Sequence, residues 1–87
     1  MDYIYLIINY DSNEVEYATE DLTLVQEMAT DMYMETLYYE FLWGVNYYGL
    51  SAASAYAQAK ESIDPWFRDY VVIEKVPKSW IYKNNFI

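Results

Sequence analysis

Tyr3-Ile4-Tyr5-Leu6-Ile7-Ile8-Asn9 is the stretch on which the fold turns. It holds β-branched and aromatic residues without glycine, proline or charge, the composition of a strand covered on at least one face. Tyr10-Asp11-Ser12-Asn13 follows as turn chemistry, because Asp, Ser and Asn side chains bond nearby backbone groups. Glu14-Val15-Glu16-Tyr17-Ala18 then alternates polar and apolar residues. That is the pattern of a second hairpin arm, with Glu14 and Glu16 together on its polar side.

Working outward, Thr19 is the expected N-cap of a helix, with Glu20 and Asp21 in the first turn where the helix dipole favours acids. Leu22, Val25, Met28 or Ala29, Met32 and Tyr39 recur at helical steps as far as Trp43, and Gly44 is the expected terminator. So long a helix in a small domain leaves room for a break near Thr36. Gly44-Val45-Asn46-Tyr47-Tyr48-Gly49 reads as an aromatic loop. Ser51 caps a second helix whose Ala52, Ala53, Ala55, Ala57 and Ala59 are strong helix formers, and Asp64-Pro65 ends it near Ile63. Tyr70 to Val76, with Val71-Val72-Ile73 at its centre, is the natural pairing partner of Tyr3 to Asn9, and Pro77 stops it. Residues 78–87 read as a short edge strand or packed tail.

The expected architecture is α+β in the order β-β-α-α-β, with helices on one face of a three- or four-stranded antiparallel or mixed sheet. At 87 residues and 10.4 kDa the chain buries one core, so residues 1–87 are read as a single domain. There is no Cys for a disulfide or zinc staple, and 55% of the residues are hydrophobic, so packing must supply the stability. The acidic start Met1-Asp2-Tyr3 and the short run Ile4 to Ile8 do not resemble a signal peptide, and no segment has the length of a membrane span. A soluble, cytoplasmic protein is expected.

The absence of both His and Cys removes the usual proton shuttle and the usual zinc ligands. Oxygen ligands remain, but Asp11-Ser12-Asn13-Glu14 lacks the glycine and terminal Glu of a calcium loop. Gly44 and Gly49 form no phosphate loop. The reading is therefore of a protein without catalytic, metal or cofactor residues. Nucleic-acid binding is disfavoured too, because base-stacking rings work beside a positive groove and the Tyr-rich part of this chain has none.

Charge placement carries the functional reading. Asp2, Asp11, Glu14, Glu16, Glu20, Asp21, Glu27, Asp31, Glu35 and Glu40 precede the first base, Lys60, so residues 1–59 carry a charge of −10 and the remainder +1. A surface shaped by solubility alone mixes the signs. Glu27, Asp31 and Glu35, four apart, stand about 6 Å from one another along a helix, roughly half the charge density of one DNA strand. Glu20, Asp21 and Glu40 would extend the row at the helix ends, Glu14 and Glu16 would add a second row, and Tyr38 and Trp43 would supply rim or anchor rings.

Small size, strong acidity, few bases and twelve Tyr make the chain resemble phage-encoded inhibitor proteins, the class of anti-CRISPR and anti-restriction proteins and uracil-glycosylase inhibitors, several of which mimic DNA. The resemblance covers composition and the acidic stretch Asp2 to Glu40 rather than an aligned motif. It implies a stoichiometric inhibitor in the bacterial cytoplasm, with a partner that is a basic nucleic-acid-binding protein such as a CRISPR nuclease or restriction enzyme. The alternative is a structural or assembly module that homo-oligomerises, or joins a complex, through Tyr47, Tyr48, Trp66 or Trp80.

Overall fold

The computed structural model describes residues 3–79. In chain order the elements are β1 (Tyr3–Asn9), β2 (Glu14–Thr19), α1 (Leu22–Tyr48), α2 (Ala52–Tyr70) and β3 (Val71–Pro77). The described residues fall into two compact units, one of residues 3–29 and 70–79, the other of residues 30–69.

The first unit is built on β1. It is the middle strand of a three-stranded sheet in the order β2-β1-β3, antiparallel to both neighbours. Leu6 and Ile7 point to opposite faces and are 1% and 0% exposed, which is why an unbroken apolar run rather than an alternating one is needed here. Ile8, Val25 and Val71 complete the buried set of this unit. The hairpin turn follows the Asx chemistry expected of it. The Asn9 Oδ1 accepts the amides of Asp11 at 3.0 Å and Ser12 at 3.3 Å, and Asn13 takes the left-handed φ of 58° that Asn tolerates. From the turn, Tyr10 donates its amide to the Tyr70 carbonyl at 2.8 Å and its hydroxyl to the Glu74 carboxylate, tying the hairpin end to β3.

β2 departs from simple alternation. Ile7 pairs with Tyr17 and Ile8 with Val15, so Glu16 is an extra residue at a β-bulge. The bulge interrupts the pleat that would have set Glu14 and Glu16 side by side. The sheet is wholly antiparallel. A fourth strand would lie in residues 80–87, outside the described residues; Lys78 and Ser79 are helical.

α1 begins later and ends later than its sequence signals indicate. Asp21, not Thr19, is the cap: its carbonyl accepts the Val25 amide at 3.0 Å and its carboxylate the Leu24 amide at 3.2 Å. Thr19 still belongs to β2, and its hydroxyl accepts the Asp21 amide. Glu20 and Asp21 therefore precede the first turn rather than occupy it. No break occurs at Thr36, whose hydroxyl bonds back to the Met32 carbonyl at 2.8 Å and so satisfies itself within the helix.

The second unit contains the rest of α1 and nearly all of α2. Gly44 does not terminate α1; it is buried within it, and a Cβ there would stand 3.1 Å from that of Ala55. The glycine is a contact point between helices, and most of the expected aromatic loop is helix. Gly49, with φ of 64°, ends α1, and the Leu50 amide closes on the Gly44 carbonyl at 3.2 Å. Ser51 caps α2 as expected, its hydroxyl accepting the Ser54 amide at 3.2 Å. α2 then runs through Pro65 to Tyr70, so β3 starts at Val71. Ala59 and Ile63 pack with Leu37 on α1, with Tyr33 and Phe41 against them, and Phe67 meets Tyr33 edge-on at 5.3 Å. Because these contacts lie on both sides of Pro65, packing holds the helix where the missing amide would otherwise break it.

Candidate functional site

All ten residues expected at a partner surface are exposed: Glu14, Glu16, Glu20, Asp21, Glu27, Asp31, Glu35, Tyr38, Glu40 and Trp43. They divide between the two units. Glu14, Glu16, Glu20, Asp21 and Glu27 belong to the sheet-bearing unit, and Asp31, Glu35, Tyr38, Glu40 and Trp43 to the helical unit.

Several carboxylates already have structural work. Glu20 is paired with Lys78, and Asp21 caps α1. Glu40 lies nine residues beyond Asp31 on a continuous helix, about half a turn round the axis, so it sits on the opposite side and does not extend the acidic face. Asp31 and Glu35, one turn apart, keep to one face, and Tyr38 continues that face one turn beyond Glu35. Trp43 belongs to a separate aromatic site. Its ring stacks on Tyr47 at 3.9 Å and 22°, and the two are 50% and 70% exposed.

The described bases all have partners other than Asp31 and Glu35. Among the described residues there are four, and each is engaged in its own unit. Lys60 bonds Asp64 at 3.0 Å and the Tyr33 hydroxyl at 3.1 Å; Arg68 bonds Asp69 at 3.1 Å; Lys78 pairs with Glu20; and Lys75 lies 4.1 Å from the centre of the Tyr3 ring. None is left to neutralise Asp31 or Glu35.

The Tyr33–Lys60–Asp64 cluster is the most tightly coupled group of titratable side chains in the helical unit. The Tyr33 hydroxyl donates to Asp64 at 2.5 Å, and that bond, with the Lys60 ammonium, holds the Asp64 carboxyl below the usual carboxylate range. Tyr33 first and Asp64 second hold Lys60 above its ordinary value. These three residues fasten α1 to α2. At the hairpin, the hydrogen bond to Glu74 is the main cause raising the Tyr10 phenol above its ordinary range.

Two concave surfaces are lined largely by apolar side chains. On the sheet unit, Leu6, Ile8, Tyr10, Val15, Glu74 and Val76 line a depression of about 310 Å³. On the helical unit, Met34, Leu37, Tyr38, Phe41 and Tyr56 line an apolar groove of about 220 Å³. Sequence reading selected Tyr38 but missed the groove. Met34, Tyr38 and Phe41 have the i, i+4, i+7 spacing of one helix face, a signal present in the chain; that Tyr56 of α2 closes the other wall is a tertiary fact. No cluster of three potential metal ligands exists among the described residues, and no helix there is long and apolar enough to cross a membrane. Comparison with known protein families, curated proteins and solved structures finds no match for this chain.

Proposed function

We propose that the protein is a stoichiometric inhibitor of the phage-encoded, anti-CRISPR or anti-restriction kind, which sets acidic and aromatic surface against the basic nucleic-acid-binding surface of a host nuclease or other DNA-handling protein. The observation that carries this reading is the internal engagement of every described base while Asp31 and Glu35 stand exposed beside Tyr38. Such a surface attracts a cationic partner at long range, and the neighbouring rings supply contact area once it arrives. Glu14, Glu16 and Glu27 add to the field from the sheet-bearing unit. The protein binds and does not catalyse.

The test is protection of phage or plasmid DNA in bacteria that carry a CRISPR or restriction system and express this chain. Asp31→Lys with Glu35→Lys is expected to abolish protection while leaving the thermal midpoint almost unchanged, since both side chains are exposed. Full protection by that folded variant would sink the proposed face.

A second reading draws on a different observation, the exposed stack of Trp43 on Tyr47. In it the chain is an assembly module that self-associates, or joins a complex, through aromatic surface. Salt separates the two. Binding through carboxylates weakens steeply between low and moderate ionic strength, whereas apolar association does not.

A further inference from the structure

Resting on the inhibitor reading, we infer that the groove of Met34, Leu37, Tyr38, Phe41 and Tyr56 receives a large apolar side chain from a basic amphipathic helix of the partner protein. At about 220 Å³ it is smaller than the roughly 300 Å³ at which small-molecule pockets begin, so its volume suits a side chain rather than a cofactor. Its lining is apolar. Leu37 forms the floor at 6% exposure, while Met34, Tyr38 and Tyr56, at 55%, 57% and 52%, form walls that water reaches. An unbranched thioether beside aromatic rings adapts readily to side chains of differing shape.

Charge complementarity selects the occupant. Asp31 and Glu35 each stand three residues before an exposed wall residue, Met34 and Tyr38 respectively, a spacing at which helical side chains are neighbours. Lys60, one turn beyond Tyr56 on α2, is already held by Asp64 and Tyr33. A segment entering this groove therefore meets an apolar slot with carboxylates along its α1 side. The matching segment presents Leu, Met or Phe on one face and Lys or Arg beside it, which is the helix-in-groove mode of recognition. The apolar anchor supplies the residence time and the bases the orientation.

The probe is a designed helical peptide with Leu along one face and Lys along the other, titrated into protein carrying isotope-labelled methionine methyl groups. The Met34 methyl signal is expected to move while those of Met28 and Met32 stay in place. Met34→Ser and Tyr56→Ser, both exposed in the fold, are each expected to weaken binding roughly tenfold, with the far-ultraviolet spectrum unchanged. A peptide with Glu in place of Lys is expected not to bind. The inference is overturned if Met34 does not move at millimolar peptide, if both Ser variants bind as well as the parent, or if self-association of the chain alone produces the same Met34 shift. Retained binding by the Ser variants combined with its loss in Asp31→Lys, Glu35→Lys would remove the groove yet keep the electrostatic reading. The reverse pattern would remove the acidic face instead.

Discussion

Gly44 and Gly49 show how one residue type does two different jobs in adjacent turns. At Gly44 the backbone is helical and the demand is space: a methyl would press on the Cβ and Cα of Ala55 at 3.1 and 3.4 Å, atoms that cannot rotate away. Gly44→Val is expected to lower stability by about 1–3 kcal/mol through overpacking, read as a shift in the urea midpoint. At Gly49 there is open space but a φ of 64°, so Gly49→Ala costs about 1–2 kcal/mol through backbone strain, and Gly49→Asn less. Tyr33 supports a pH prediction. A carboxyl whose folded value is depressed contributes stability above the ordinary value, and that contribution is lost as the pH falls. Asp64 is such a group, so the protein loses stability from this site as pH drops through about 4 and below. Tyr33→Phe removes the largest cause of the depression, and its thermal midpoint should fall less steeply than the parent's between pH 5 and 3. At Tyr10 the sign reverses: Glu74 favours the neutral phenol, and the support it gives is lost only when the pH rises above the ordinary Tyr range.

At the scale of elements, β1 and the hairpin turn were legible, because strand composition and Asx turn chemistry are local properties that agree. The helix ends were not. Gly44 and Asp64-Pro65 are strong local stop signals, and both are overridden by contacts with residues far away in the chain: Ala55 at Gly44, and Leu37 and Tyr33 around Pro65. Pro65→Ala isolates the local term. Restoring the amide removes a penalty of about 3 kcal/mol, offset by about 1 kcal/mol of unfolded-chain entropy, so α2 should gain roughly 2 kcal/mol and the thermal midpoint several degrees. A fall in the midpoint would mean that Pro65 is not under strain. In β2 the bulge at Glu16 was invisible for a similar reason, since alternation describes one strand while register is set by two.

For the whole molecule, the net charge of −9 and pI of about 4.1 predict a protein that repels its own copies at neutral pH and loses solubility as the pH approaches 4. Raising salt from 50 to 300 mM should weaken a carboxylate-mediated complex roughly tenfold or more, measured by calorimetry, and leave folding nearly untouched. The chain by itself determined the element order, the pairing of β1 with β3 and the acidity of its first 59 residues, because these follow from composition and local pattern, whereas the antiparallel sense of that pairing came from the tertiary structure. Only tertiary structure decided which acids are available and which rings share a site. Glu20 is taken by Lys78, Glu40 is turned away from Asp31, and Tyr56 is brought against Met34 and Tyr38. Each of those outcomes depends on residues distant in sequence or on the uninterrupted rotation of a helix, and neither can be read from spacing alone.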